Sequence, residues 1–137
     1  MLRRFEMLLD RRGLQGVDMT QADVLHMDAL PSTWRQYDLI VTASMLEYVP
    51  RDQLSNALAG LRERLATNGT LVVFITKRNW LTRPMIGRWW HSHLYSKQEL
   101  VEAFNAAGFE AVDFAGFPLA ALHLSAWGYA IKAVASF

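Results

Sequence analysis

Two apolar, β-branched runs, YDLIVTA at 37–43 and TLVVFIT at 70–76, constrain this chain more than any other feature in it. Neither alternates cleanly between apolar and polar residues, so each reads as a strand buried on both faces, the condition of strands in a parallel sheet. Parallel neighbours need a long crossover, usually helical, and the intervening sequence provides one. Pro50 suits an early helical position, and Asp52 complements the helix dipole. Leu54, Leu58, Leu61 and Leu65 then recur at i, i+4, i+7 and i+11, one stripe on a helix that Asn68-Gly69 brings to an end.

The remaining elements follow the same alternation. Residues 2–12 read as a helix with Leu2, Phe5, Leu8 and Leu9 on one side and Gly13 as its stop. VDMTQA, 17–22, reads as a short strand ending at Asp23, followed by a loop over 26–36 that contains Pro31. Ser96 and Glu99 form a capping box opening a helix whose inner side carries Leu100, Val101, Phe104 and Ala107, with Gly108 closing it. Strands are expected at 109–114 and 127–134. Their connection is too short for a helical crossover, so these two strands should be antiparallel. The alternation predicts an α/β protein, a mostly parallel sheet with helices on both faces and an antiparallel hairpin at its end. Residues 1–137 read as one unit, since no internal repeat or low-complexity linker divides them.

Composition narrows the setting. A net charge of +1 gives no global field that would select nucleic acid or an acidic partner. The absence of cysteine removes disulfides, thiolate nucleophiles and thiolate metal sites together, and fits a cytoplasmic protein. Met1 opens directly into a charged amphipathic pattern rather than a secretory signal. Residues 114–131 form an uncharged run of 18, close to a membrane span in length, but Gly116, Pro118, His123, Ser125 and Gly128 interrupt it. Two buried strands and a turn account for it better than membrane contact.

Three stretches in fixed order carry a family resemblance: QADVLHMDALP (21–31), YDLIVTASMLEYVP (37–50), and the leucine-striped helix followed by NGTLVVF and then AAGF near residue 108. Together they resemble class I S-adenosylmethionine-dependent methyltransferases of the small-molecule type, over nearly the whole chain. The fold implied is Rossmann-like. Asp23 matches the acid that accepts a hydrogen bond from the adenine amino group of the cofactor, and Val24 the apolar residue that meets the adenine ring. Ala43, Ser44 and Met45 match the segment lining the methionine part, and Glu47 and Tyr48 the start of the segment facing the substrate. The competing readings are structural. Asp23 suits a turn and Ser44 can cap one. Glu47 suits a helix entrance, and Tyr48 can serve only as a packing aromatic.

The resemblance also implies parts that this sequence does not show. The family has a glycine-rich turn after its first strand and an acid at the end of its second strand that holds the ribose hydroxyls. The eight glycines here contain no G-x-G cluster, and no strand precedes the first helix. The expectation is therefore an amino-terminally shortened domain with an incomplete cofactor site. In the family's sheet the two missing strands lie between the strand at 17–22 and that at 37–43. Their loss leaves both faces and one edge of YDLIVTA without neighbours, a pairing hazard that a second copy of the chain, or direct pairing of 17–22 with 37–43, could cover.

One further segment stands out. Residues 77–97, KRNWLTRPMIGRWWHSHLYSK, hold five Lys or Arg, no Asp or Glu, and the aromatics Trp80, Trp89, Trp90 and Tyr95. It falls where the family often inserts substrate lids. Trp89 and Trp90 are candidate substrate contacts for an anionic or aromatic molecule. His91 is a candidate general base and Tyr48 a second catalytic candidate. An amphipathic helix broken at Pro84, membrane-surface contact and nucleic-acid contact are the alternatives. His91-x-His93 lacks further ligands at metal spacing, so no metal is expected. The function implied is methyl transfer from S-adenosylmethionine to a small molecule, with a non-catalytic assembly module or a peripheral membrane protein as alternatives.

Overall fold

The structure is a computed structural model and describes residues 2–77, 93–117 and 119–136. Its elements in chain order are α1 (Leu2–Arg11), β1 (Tyr37–Ala43), α2 (Leu54–Arg62), β2 (Leu65–Thr76), α3 (Lys97–Ala106), β3 (Ala111–Ala115) and β4 (Gly128–Val134). One-turn 3-10 segments at Met27–Ala29, Leu46–Tyr48 and Arg51–Gln53 connect them. The sheet order is β1-β2-β4-β3. β1 and β2 are parallel, and β4 is antiparallel to both β2 and β3. The closing pair is therefore antiparallel, as the short connection requires, with further 3-10 turns at Leu119–Ala126 filling that connection. Among the described residues no helix is long and apolar enough to cross a membrane.

The apolar stripe of α2 and that of α3 meet over one face of the sheet. Leu54, Leu58 and Leu61 pack with Leu100, Phe104, Leu71, Val73, Ile75, Ile131 and Ala133 in one core. Each large side chain buried there contributes roughly 1.5–3 kcal/mol. The capping box opens α3 as its sequence demands: Glu99 N–H donates to Ser96 Oγ at 3.3 Å, and Ser96 N–H donates to the Glu99 carboxylate at 2.7 Å. Gly108, at φ 87°, ends it in the left-handed conformation that favours glycine. Phe109 then joins the core, edge-on to Phe104 with centroids 5.5 Å apart, and the next strand starts only at Ala111.

Four expectations need correction. The stretch 17–22 forms no strand, because no described strand lies beside it to complete a ladder. The helix after Pro50 ends at Arg62 rather than at Asn68, and Leu65 belongs to β2. Asn68 and Gly69 instead make an irregularity inside β2, where the register with β1 jumps from Tyr37↔Leu65 to Leu39↔Thr70. Asn68 takes a positive φ of 63°, and a Cβ on Gly69 would lie 2.7 Å from the Tyr37 carbonyl oxygen. Thirdly, among the described residues helices cover one face only, since α1 buries none of its residues. Finally, β1 lacks cover on one face rather than both: Thr42 is buried, whereas Leu39 and Val41 are 55% and 54% exposed.

Candidate functional site

The loop before β1 is shaped by one side chain. Arg64 is buried, and its guanidinium donates to the carbonyls of Pro31 at 3.2 Å, Trp34 at 3.0 Å and Met27. Three acceptors in a planar fork suit arginine and not lysine. This clamp fixes residues 27–34 against the start of β2, and so places the segment 22–25 just ahead of them.

At the opposite wall β1 ends abruptly. Ser44 adopts φ 51°, a left-handed conformation that costs a non-glycine residue about 1 kcal/mol or more. Its N–H still donates to the Phe74 carbonyl at 2.9 Å, after which the chain turns out of the sheet. The 3-10 turn Leu46–Tyr48 then buries Leu46 and Glu47 and leaves Tyr48 58% exposed.

Between these walls lies a cleft of about 580 Å³, lined by residues 22–25, Met27, Met45, Tyr48, Val49, Pro50 and Leu61. Four of the residues singled out from sequence thus share one opening: Asp23, Val24, Met45 and Tyr48. Ser44 faces a neighbouring hollow with Phe74, Thr76, Phe117, Trp127 and Tyr129. Ala43 sits opposite Phe74 in the ladder. Glu47 points inward, its carboxylate accepting from the Thr76 N–H at 3.1 Å. Trp89, Trp90 and His91 lie outside the described residues.

Among the described residues lining the cleft, Asp23 supplies the only carboxylate. One oxygen accepts from the Leu25 N–H at 2.9 Å and the other meets His26 Nδ1 at 3.1 Å. The Leu25 amide, followed by the His26 ring, holds the carboxyl below its ordinary 3.8, so it is ionised at neutral pH. Asp23 therefore forms a turn, as its structural reading has it. Those two bonds still leave lone-pair sites on an ionised carboxylate, which offers about four. The turn orients the group without using it up. The pairing with His26 has no signal in the sequence, because a loop histidine three residues from an acid need not meet it.

Apart from Tyr48, the remaining described lining of the cleft is apolar, Val24, Leu25, Met27, Met45 and Leu61 among it. A flat, uncharged ring with an N–H donor at its edge matches such a lining, because the ring loses water to apolar side chains while the donor finds the carboxylate. The described lining thus fits the base of a nucleoside. Among the described residues no cluster of His, Cys, Asp or Glu could hold a metal ion.

No protein-family model and no curated protein matches the chain. Solved structures do. The S-adenosylmethionine-dependent methyltransferase SibL, in its apo form, superposes with a TM-score of 0.76 at 17% identity, over 99% of this chain and 41% of its own. An O-methyltransferase family protein from Burkholderia thailandensis gives 0.71 at 12% identity, over 96% and 40%. The architecture is a methyltransferase fold. The chain spans about two fifths of the length of these two proteins. The same methyltransferase fold is also found in the [4+2]-cyclase SpnF, with a TM-score of 0.65 at 18% identity, over 96% of this chain and 60% of its own. Fold and chemistry are thus separate questions here.

Proposed function

We propose that the cleft beside Asp23 is the adenine side of an S-adenosylmethionine site, and that this chain is part of a methyltransferase acting on a small molecule. The observation that carries the reading is the convergence of Asp23 and Val24, from the loop after 22, with Met45 and Tyr48, from the carboxyl end of β1, on one cleft. Open α/β sheets bind ligands at that end of their strands. In this reading Asp23 accepts the adenine amino hydrogen, Val24, Leu25 and Met27 cover the ring, and Met45 borders the methionine portion. Ser44 turns the chain at the point where Ala43 and Met45 approach that portion, and Tyr48 stands at the mouth. When bound, the cofactor supplies a methyl group already activated by its sulfonium, so the protein's own task is alignment. Trp89, Trp90 and His91 keep their proposed roles toward the acceptor, from a segment outside the described residues.

The test is calorimetry of the full chain with S-adenosylhomocysteine, whose adenine end is the same. Wild type should bind, and Asp23→Ala should weaken binding about tenfold or more, the loss expected for a hydrogen bond to a charged group. Asp23→Asn keeps an acceptor and should lose less. No heat with wild type, or equal affinity in Asp23→Ala, would falsify the assignment.

A second reading, an assembly module, is favoured by one specific observation. The side of the sheet opposite the helices exposes Leu39, Val41 and Phe74 beside the unpaired edge of β1. In that reading a second copy of the chain covers this surface. Light scattering on the purified chain reports it directly: a dimer mass that falls to the monomer in Leu39→Lys supports it, and a monomer throughout removes it.

A further inference from the structure

Glu47 is a nearly buried carboxylate, 5% exposed, that the proposed chemistry does not use. Its position explains what it does. The last ladder pair between β1 and β2 is Ala43↔Phe74, and Ser44 N–H to the Phe74 carbonyl is the final bond between them. β2 continues to Thr76, whose N–H points to the side that β1 has left. An unpaired buried amide there would be costly. Glu47 Oε2 takes that amide at 3.1 Å, in place of the strand that turned away.

The same residue holds a second point of the chain. Its own carbonyl accepts from the His93 N–H at 2.6 Å. Thr76 lies just before the basic, aromatic stretch and His93 at its far side, and both meet at Glu47. Their neighbours repeat the arrangement: Lys77 and Tyr95 form a parallel bridge, and the Tyr95 hydroxyl donates to the Val49 carbonyl at 3.3 Å. On either side of Glu47, Met45, Tyr48 and Val49 line the Asp23 cleft.

We propose that Glu47 is a positioning residue that ties one wall of the cleft to residues 76 and 93 at once, so that the cleft and these two points of the chain hold their places together. A carboxylate serves this better than an amide, because charge-assisted bonds to backbone N–H are about twice as strong as neutral ones. The link to ligand affinity rests on the functional reading above; the link between Thr76 and His93 does not.

Amide hydrogen exchange on the full chain, read residue by residue, tests it. In Glu47→Ala the Thr76 amide should exchange faster by about tenfold or more, and the His93 amide should accelerate with it although its own acceptor is untouched. Amides of Val112 and Ala133, across the sheet, should keep wild-type rates. Glu47→Gln retains an acceptor oxygen and should recover most of the protection, leaving both amides about threefold fast. Acceleration of Thr76 alone would reduce Glu47 to a strand cap and overturn the proposal, as would no change at either site. Should Glu47→Ala fail to fold, Glu47→Gln decides by the same criterion, joint acceleration against wild-type rates. In calorimetry the affinity for S-adenosylhomocysteine should fall in Glu47→Ala and return in Glu47→Gln; an unchanged affinity overturns the link to the cleft. If wild type itself does not bind, the cofactor reading fails and the exchange measurement still stands.

Discussion

In β1 and β2 both faces of the sheet carry apolar residues, but the surroundings of the two faces differ. On one, Leu71, Val73, Ile131 and Ala133 are fully buried under α2 and α3. On the other, Leu39 and Val41 are more than half exposed, and Phe74 more than a third, beside Val72. Apolar strand residues record a need for cover on both sides, and the described chain meets it on one. α1 shows the complementary state, with Leu2, Phe5 and Leu8 exposed on a helix that buries nothing. The difference separates the apolar surface that stabilises this fold from apolar surface that lies bare among the described residues.

The sharpest way to break that comparison is to empty the covered side. Phe104→Ala should destabilise by about 3–5 kcal/mol, because it removes a fully buried ring from between helix and sheet; urea unfolding measures it. Arg64→Ala should cost about 1–3 kcal/mol by taking the guanidinium from the Trp34 carbonyl and from the Met27 and Pro31 carbonyls, which keep the amides of Leu30 and Trp34. It should also weaken any ligand held by the Asp23 cleft, since the clamp places that loop; calorimetry on the variant checks both halves. Gly69→Ala should cost about 1–3 kcal/mol, because the new methyl meets backbone oxygens of Tyr37 and Ala66. On the bare side, Leu39→Lys should change the unfolding free energy of a monomer by no more than about 0.5 kcal/mol. A large loss there, growing with protein concentration, would show that the face is covered in solution.

The smallest effect is a pH dependence at Asp23. Its carboxyl is held below 3.8 in the folded chain, chiefly by the Leu25 amide, so its contribution is complete above 3.8 and fades as pH falls through the lower folded value. An NMR titration should find its midpoint under 3.8, and Leu25→Pro, which removes the donor, should bring it back up.

Legibility followed the range of the interaction. The capping box at Ser96 and Glu99, the Gly108 stop and the antiparallel closing strands were readable, because each depends on neighbours within a few residues or on a connection length. The sequence pattern puts the end of α2 too late, since Leu65 fits the helical stripe equally well, and only the pairing of Leu65 with Tyr37 draws it into β2. Asp23, Val24, Met45 and Tyr48 were legible as a set through a resemblance, while the chemistry of Glu47 was not. Nothing local reveals that a glutamate in a short turn will be needed by an amide 29 positions later.

By itself, the sequence determined the capping box and glycine stop of α3, the parallel order of its two apolar runs and the antiparallel closing pair. Tertiary structure alone decided which face is covered, that 17–22 forms no strand, and that Glu47 joins residues 76 and 93. The reason is physical. Helix stops and capping boxes are satisfied within one turn of chain, whereas a strand or a buried carboxylate is defined only by a partner brought to it from elsewhere.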